Sequence, residues 1–290
     1  MNSRLPVRKT YKLYINGAFV RSEGGRTLPA TTPDGTFLDN YAYATRKDLR
    51  DAVKACEIAQ NDWAKKTAYL RSQILYRAAE MLEQRKHELI HEVARSTSVD
   101  SSTAQNEVDI SIDRLVYFAG WADKYSQLFG SVNPVATSHF NFTIPEPMGV
   151  VIIFAPELPS LLAPISLLAS VILSGNAAIL IPSEKYPLPS LTLAEILATC
   201  DLPKGVVNIL SSIHADLAPF AAEHMGIHAI VDASGNISLQ KVLQNGSAIN
   251  LKRYACRRLS PTAWATESAE DPYWILDTVE FKTAWHPIGL

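Results

Sequence analysis

The chain has 290 residues, of which 47% are hydrophobic and 19% charged, with a formal net charge of −2. That is apolar material enough for a sizeable core, in one large domain or two small ones. A near-neutral balance without a dense basic run excludes a nucleic-acid or anionic-membrane surface of the electrostatic kind.

The opening stretch carries basic residues but no apolar run, so it does not read as a signal peptide. "YKLYINGAFV" predicts a hairpin turning at Asn16-Gly17. Thr45 and Asp48 then form a capping-box variant, and Leu49, Val53, Cys56 and Trp63 share one face of the helix that follows. Leu70, Ile74, Ala78 and Met81 mark a second helix, and Leu89 with Val93 a third. A fourth runs through Val108, Ile112, Leu115, Ala119 and Ala122. In "HFNFTI" (139–144), Phe140, Phe142 and Ile144 alternate on one face, which predicts a strand with one side exposed.

From residue 149 the pattern alternates strand and helix. Strands are expected at 149–155, 177–181, 206–210 and 227–231, with helices near 161–174, 190–200 and 214–224. This is the signature of a parallel sheet with crossover helices. Ser160 to Ser183 carries no charge and is long enough for a bilayer, but Pro164 and Gly175-Asn176 break it into a helix, a turn and a buried strand. After Pro261 the chain becomes polar, and "DTVEFKTAW" (277–285) reads as a last strand.

Two local motifs suggest chemistry. "HELIH" (87–91) fits H-E-x-x-H, with His87 and His91 as zinc ligands and Glu88 as general base. Ala94 and Thr97 stand where the longer zinc motif needs glycine and histidine, leaving Glu107 as the nearby alternative ligand, so a solvated helix face is preferred. Cys256 sits among Lys252, Arg253, Arg257 and Arg258, a field that lowers a thiol pKa. No partner base is identifiable, and strand alternation would place Cys256 in the core as a structural residue. Cys56, Cys200 and Cys256 make no CxxC pair or disulfide framework, which suits a reducing, cytoplasmic setting.

Four stretches in order carry a resemblance: "RLVYFAGWADKYSQLFGSVNP" (114–134), "EPMGVVIIFAP" (146–156), "SGNAAILIPSE" (174–184) and "LPKGVVNIL" (202–210). Together they resemble an aldehyde dehydrogenase through about residue 255, and "EFKTAWHPIGL" (280–290) resembles that family's C-terminal oligomerisation strand. The resemblance implies a Rossmann-like parallel sheet with crossover helices, preceded by an N-terminal helical segment, plus a β-arm of oligomerisation strands. It divides the chain into a cofactor-binding-like domain over 1–260, including the 133–147 arm strand, and a terminal strand segment over 261–290. "HELIH" then falls in an ordinary N-terminal helix.

Family members oxidise aldehydes with NAD(P), using a cysteine nucleophile and a glutamate that activates water. Several matched positions differ here. Pro156-Glu157-Leu158 replaces Pro-Trp-Asn, so Leu158 stands where an oxyanion donor is expected. Ile181-Pro182-Ser183-Glu184 replaces Lys-Pro-Ser-Glu, keeping the ribose-gripping glutamate and losing the lysine. Ser212-Ile213-His214 replaces Gly-x-Gly, and Asp232-Ala233-Ser234-Gly235 replaces Phe-Thr-Gly-Ser, bringing a negative charge toward the pyrophosphate position. After "LKRY", Ala255-Cys256-Arg257-Arg258 stands where the deacylation glutamate's segment belongs, and the chain passes almost directly to the terminal arm. Cys256 does not match the nucleophile's position.

The resemblance therefore implies a non-catalytic subunit with no catalytic residue and no metal. A vestigial cofactor crevice would comprise Phe154, Pro156, Ser183, Glu184, Ser234 and Gly235. No cofactor is expected, with weak NAD(P) binding as the residual case. The partner implied is a full-length aldehyde dehydrogenase subunit, met through an arm that includes Phe281 and Trp285. A nucleotide-binding accessory protein, and an oxidoreductase acting by itself, are the alternatives.

Overall fold

The computed structural model describes residue 5 and residues 7–289. The chain begins with β1 (Thr10–Tyr11), β2 (Leu13–Ile15), β3 (Ala18–Val20), β4 (Thr27–Thr31) and β5 (Phe37–Ala42). Helices α1 (Arg46–Ala64), α2 (Ala68–Gln84), α3 (Lys86–Thr97), α4 (Ser101–Ala119) and α5 (Tyr125–Phe129) follow, then β6 (Ser131–Asn133) and β7 (His139–Pro147). The alternating region comprises β8 (Val150–Phe154), α6 (Leu162–Ile172), β9 (Ala177–Ile181), α7 (Leu188–Leu197), β10 (Val207–Ile209), α8 (His214–Glu223), β11 (Ala229–Asp232), α9 (Ile237–Ile249) and β12 (Arg253–Cys256). The short α10 (Tyr273–Leu276) leads into β13 (Val279–Pro287).

The central sheet has seven strands in the order β12-β11-β8-β9-β10-β2-β3. Its five β/α strands are parallel, and the N-terminal hairpin joins the β10 edge antiparallel. The hairpin turns through Asn16 and Gly17, with φ of 52° and 73°, the left-handed pair that a two-residue hairpin turn needs. The order is that of a doubly wound α/β sheet: the chain starts at β8, builds outward through β9 and β10, then returns to the other side of β8 with β11.

Strand alternation divides the apolar side chains between two cores. Val151, Ile153, Ala178 and Leu180 belong to the cluster that includes residues of α2, α4, α6 and α7. Ile152, Phe154, Ile179 and Ile181 belong to the cluster that includes residues of α1, α8 and α9. The capping box at α1 is present: the Thr45 N–H donates to Asp48 Oδ2 at 2.7 Å, and Asp48 also accepts Ser22 Oγ at 2.9 Å. The uncharged 160–183 segment is α6, a turn and β9, all buried, and no helix among the described residues is long and apolar enough to cross a membrane.

The parallel α/β sheet, the helical segment before it and the strand arm after it agree with the expected architecture. Three features differ from the sequence reading. Residues 27–42 form strands β4 and β5, which pair with β1 into a separate three-stranded sheet that shows no clear period in the sequence. Cys256 is half-buried at the end of the edge strand β12, and Ala255 takes the inward position. On β7 the side left exposed is the apolar one: Phe140 and Ile144 are exposed while Asn141 is buried, accepting from Asn133 Nδ2 at 2.6 Å.

Strand β7 lies between β13 and β6 in a second three-stranded sheet, the arm. Strand β13 pairs antiparallel with β7 over its full length, from Val279 opposite Pro147 to Pro287 opposite His139. Between β12 and β13 the chain returns to the body, where Trp264 and Ile275 are fully buried and Trp274 meets Trp264 edge-to-face at 5.6 Å.

Candidate functional site

The crevice of a doubly wound sheet lies beyond the carboxyl ends of its strands, at the switch between β8 and its two neighbours. The register sets this end in one line, because Phe154 pairs with both Ile181 on β9 and Asp232 on β11. The loops that follow these strands carry Pro156, Ser183, Glu184, Ser234 and Gly235, so one end of the sheet gathers the residues chosen from the sequence.

The side chains of Glu157, Ser183, Glu184 and Asp232 already have partners within the chain. The Glu157 carboxylate accepts the Ser183 hydroxyl and, at 3.0 Å, the Lys185 N–H. Ser183 Oγ in turn accepts the Tyr186 N–H at 2.9 Å. The Glu184 carboxylate accepts the His214 N–H at 2.6 Å, filling a donor that the start of α8 would otherwise leave open. His214 is buried, donates from Nε2 to the Pro182 carbonyl at 2.7 Å, and packs edge-to-face on Phe154 at 5.5 Å. Pro156 and Ile181 are buried, and Ile181 is 0% exposed. Burial pushes Tyr41 up to about 12, with the Glu184 and Glu157 charges adding to the rise.

On the β11 side, Asp232 is buried and accepts three hydrogen bonds through its two oxygens. Its Oδ1 accepts the Ser234 N–H at 3.0 Å and the Ser234 hydroxyl at 2.7 Å, and its Oδ2 accepts the Tyr254 hydroxyl at 2.7 Å. Burial, then the bonded Asp232, push Tyr254 well above the ordinary tyrosine range. Gly235 takes a φ of 69° and is exposed, and Asn236 caps α9 itself by accepting the Ser238 and Leu239 N–H groups. Leu158, in the position of the expected oxyanion donor, is 37% exposed.

The sequence reading noted Glu157 and His214 only as departures from a pattern, yet these two side chains close the crevice. Their roles depend on groups brought from other loops, so no local signal identifies them. The His87, Glu88 and His91 side chains of "HELIH" lie on the solvent face of α3. His87 and His91 are exposed on α3, Glu88 pairs with Arg85, and no metal-holding group exists among the described residues. Glu107 instead accepts the Leu161 N–H at 2.7 Å at the start of α6.

The aldehyde dehydrogenase family profile matches residues 19–257, and the chain belongs to that family. Solved relatives agree. An aldehyde dehydrogenase from Bacillus cereus in complex with NAD+ is 25% identical, with a TM-score of 0.79 over 86% of this chain and 50% of that one. A putative aldehyde dehydrogenase from Burkholderia cenocepacia is 29% identical, with a TM-score of 0.79 over 85% and 50%. A betaine aldehyde dehydrogenase from Staphylococcus aureus, 22% identical with a TM-score of 0.80, shares the fold. The chain spans about half the length of the structures it matches.

The groups that the resemblance would turn toward a dinucleotide are differently engaged here. Ile181 offers no charged hand, Glu184 is engaged with α8, and the buried Asp232 carboxylate lies where an anionic pyrophosphate is expected.

Proposed function

We propose that this chain is a non-catalytic aldehyde-dehydrogenase-like subunit that assembles with a full-length NAD(P)-dependent aldehyde dehydrogenase. The arm is the observation that carries this reading. Strand β13 forms one edge of the arm sheet, and residues 280–289 are all exposed. Phe281 and Trp285, 48% and 58% exposed, share one face of the arm. Val132, Phe140 and Ile144, 66%, 45% and 41% exposed, share the other. A long open edge with apolar side chains on both faces is a template for strand addition and an aggregation hazard when left alone. A partner's strand added along β13 would pair that open edge.

The filled crevice supports the non-catalytic half of the reading, since Glu157, Glu184 and Asp232 all serve the chain's own backbone and hydroxyl groups. Family membership and the NAD+ complex of a relative support a second, weaker activity at the same crevice, residual NAD(P) binding. Three free cysteines support a reducing, cytoplasmic location.

The test is co-expression with a full-length aldehyde dehydrogenase from the same cell, followed by size-exclusion chromatography with light scattering. The expected result is a stable mixed oligomer, lost when Phe281 and Trp285 are both changed to lysine. A well-behaved monomer that ignores the enzyme, with or without residues 276–290, overturns the reading.

A further inference from the structure

The amino ends of the parallel strands, opposite the crevice, hold a second concavity. A surface pocket of about 230 Å³ opens there, and its lining includes Met148, Met225, His228, Asn250, Lys252 and Glu280. Lys252 sits half-buried in the connection from α9 to β12, with its backbone N–H held by the Ser247 carbonyl at 3.0 Å. Among the described residues its amine has neither an ion-pair nor a hydrogen-bond partner, and burial alone pushes it down to about 8.

His228 meets Lys252 from the start of β11. Its Nδ1 accepts the Val150 N–H at 3.0 Å, which leaves the ring proton on Nε2. Gly149 lies directly against the ring, where an added Cβ would stand 2.7 Å from Nδ1, so the imidazole is fixed in place. Burial first, and then the Lys252 charge, hold His228 below its usual value, against the opposing carboxylates of Glu57 and Glu280. Asn250 contributes a buried carbonyl oxygen with no hydrogen-bond partner.

We infer that Lys252 is a nucleophilic lysine that forms a reversible imine with small neutral carbonyl compounds in this pocket. The amine nitrogen bonds to the carbonyl carbon, the C=O π pair moves to oxygen, and one nitrogen proton transfers to that oxygen to give a carbinolamine. The C–O bond then breaks, the hydroxyl leaves as water with the second nitrogen proton, and the C=N bond remains. No oxidant or reductant is consumed. His228 lines the same pocket with Nε2–H as its free ring donor for a carbonyl oxygen, Met148 and Met225 offer a short alkyl chain its contacts, and the Glu280 carboxylate selects against anionic carbonyls. A desolvated lysine in such surroundings is the usual form of an imine-forming amine.

The experiment uses the intact chain with propanal at pH 8, borohydride trapping and peptide mapping by mass spectrometry. Lys252 is expected to label at least about ten-fold faster than free Nα-acetyllysine in the same tube, because far more of it is neutral at that pH. Its rate should level off above about pH 8 while that of the free amino acid keeps rising. His228→Ala should slow Lys252 several-fold without moving the reference, and glyoxylate should react more slowly than propanal. Labelling of Lys252 no faster than the reference, or a rate at Lys252 that rises in parallel with it, overturns the inference. The pocket is remote from the crevice, so that failure would leave the proposed function standing.

Discussion

The Glu184 carboxylate, which its family position would turn toward a ribose, accepts the His214 N–H at 2.6 Å and caps α8. The carboxylate contributes to fold stability in this way, with one of its two oxygens committed to the helix. Glu184→Ala is therefore expected to cost about 1 kcal/mol of stability, the usual scale for a lost helix cap. The wild-type dissociation constant for NAD is expected to be weaker than about 1 mM, the point where binding supplies ~4 kcal/mol. Thermal melts and titration calorimetry check both. Micromolar NAD binding by the wild type would contradict the second expectation.

Ile181 is fully buried in the cluster that contains Phe154, Leu210 and Leu217. Restoring the family's lysine there places an ammonium in an apolar site. Ile181→Lys is expected to destabilise by about 3 kcal/mol and not to restore nucleotide affinity. A drop in Tm of several degrees with an unchanged calorimetric baseline is the expected pair of results. An unchanged Tm with micromolar NAD binding would show that the crevice still has room for the lysine head.

The three thiols differ in access. Burial pushes Cys200 up to about 11 and Cys56 higher still, and both are buried, whereas Cys256 is half-buried on an edge strand. Iodoacetamide at pH 8 is expected to modify Cys256 first and to reach Cys56 and Cys200 only after unfolding. Mass mapping against time decides the order, and early modification of Cys56 would contradict the packing of α1 on the sheet.

Tyr41 carries a pH prediction. Its folded value, about 12, lies above the ordinary value of 10.0, so the folded state holds the proton more tightly than the unfolded chain. The stability this gives is complete below about pH 10 and is lost as the pH rises toward 12, to a total of at most about 2–3 kcal/mol. Tyr41→Phe should flatten that part of the stability curve. Equal alkaline slopes for wild type and variant in urea titrations between pH 9.5 and 11.5 would rule the assignment out.

The sequence by itself determined the order of strands and helices from residue 149, because fully buried parallel strands are continuous apolar runs and their crossover helices fall at regular intervals. It also determined the Asn16-Gly17 turn, the Thr45–Asp48 cap and the family. All of these depend on neighbours within a few residues or on stretches long enough to match as a whole. Tertiary structure alone decided the rest. Residues 27–42 became strands because β1 supplies a partner for β5, and such pairing leaves little periodic trace in a half-exposed segment. Cys256 and Ala255 exchanged their expected sides because the edge of the sheet, not alternation alone, sets what is covered. The residues read as a crevice fall on loops at one end of the sheet, but the state of their side chains was not legible. Whether Glu184 faces a ligand or α8, and whether Asp232 repels an anion or binds Tyr254 and Ser234, depends on a backbone N–H 30 residues away and a tyrosine hydroxyl 22 residues away in sequence, which only the folded sheet brings within hydrogen-bond distance.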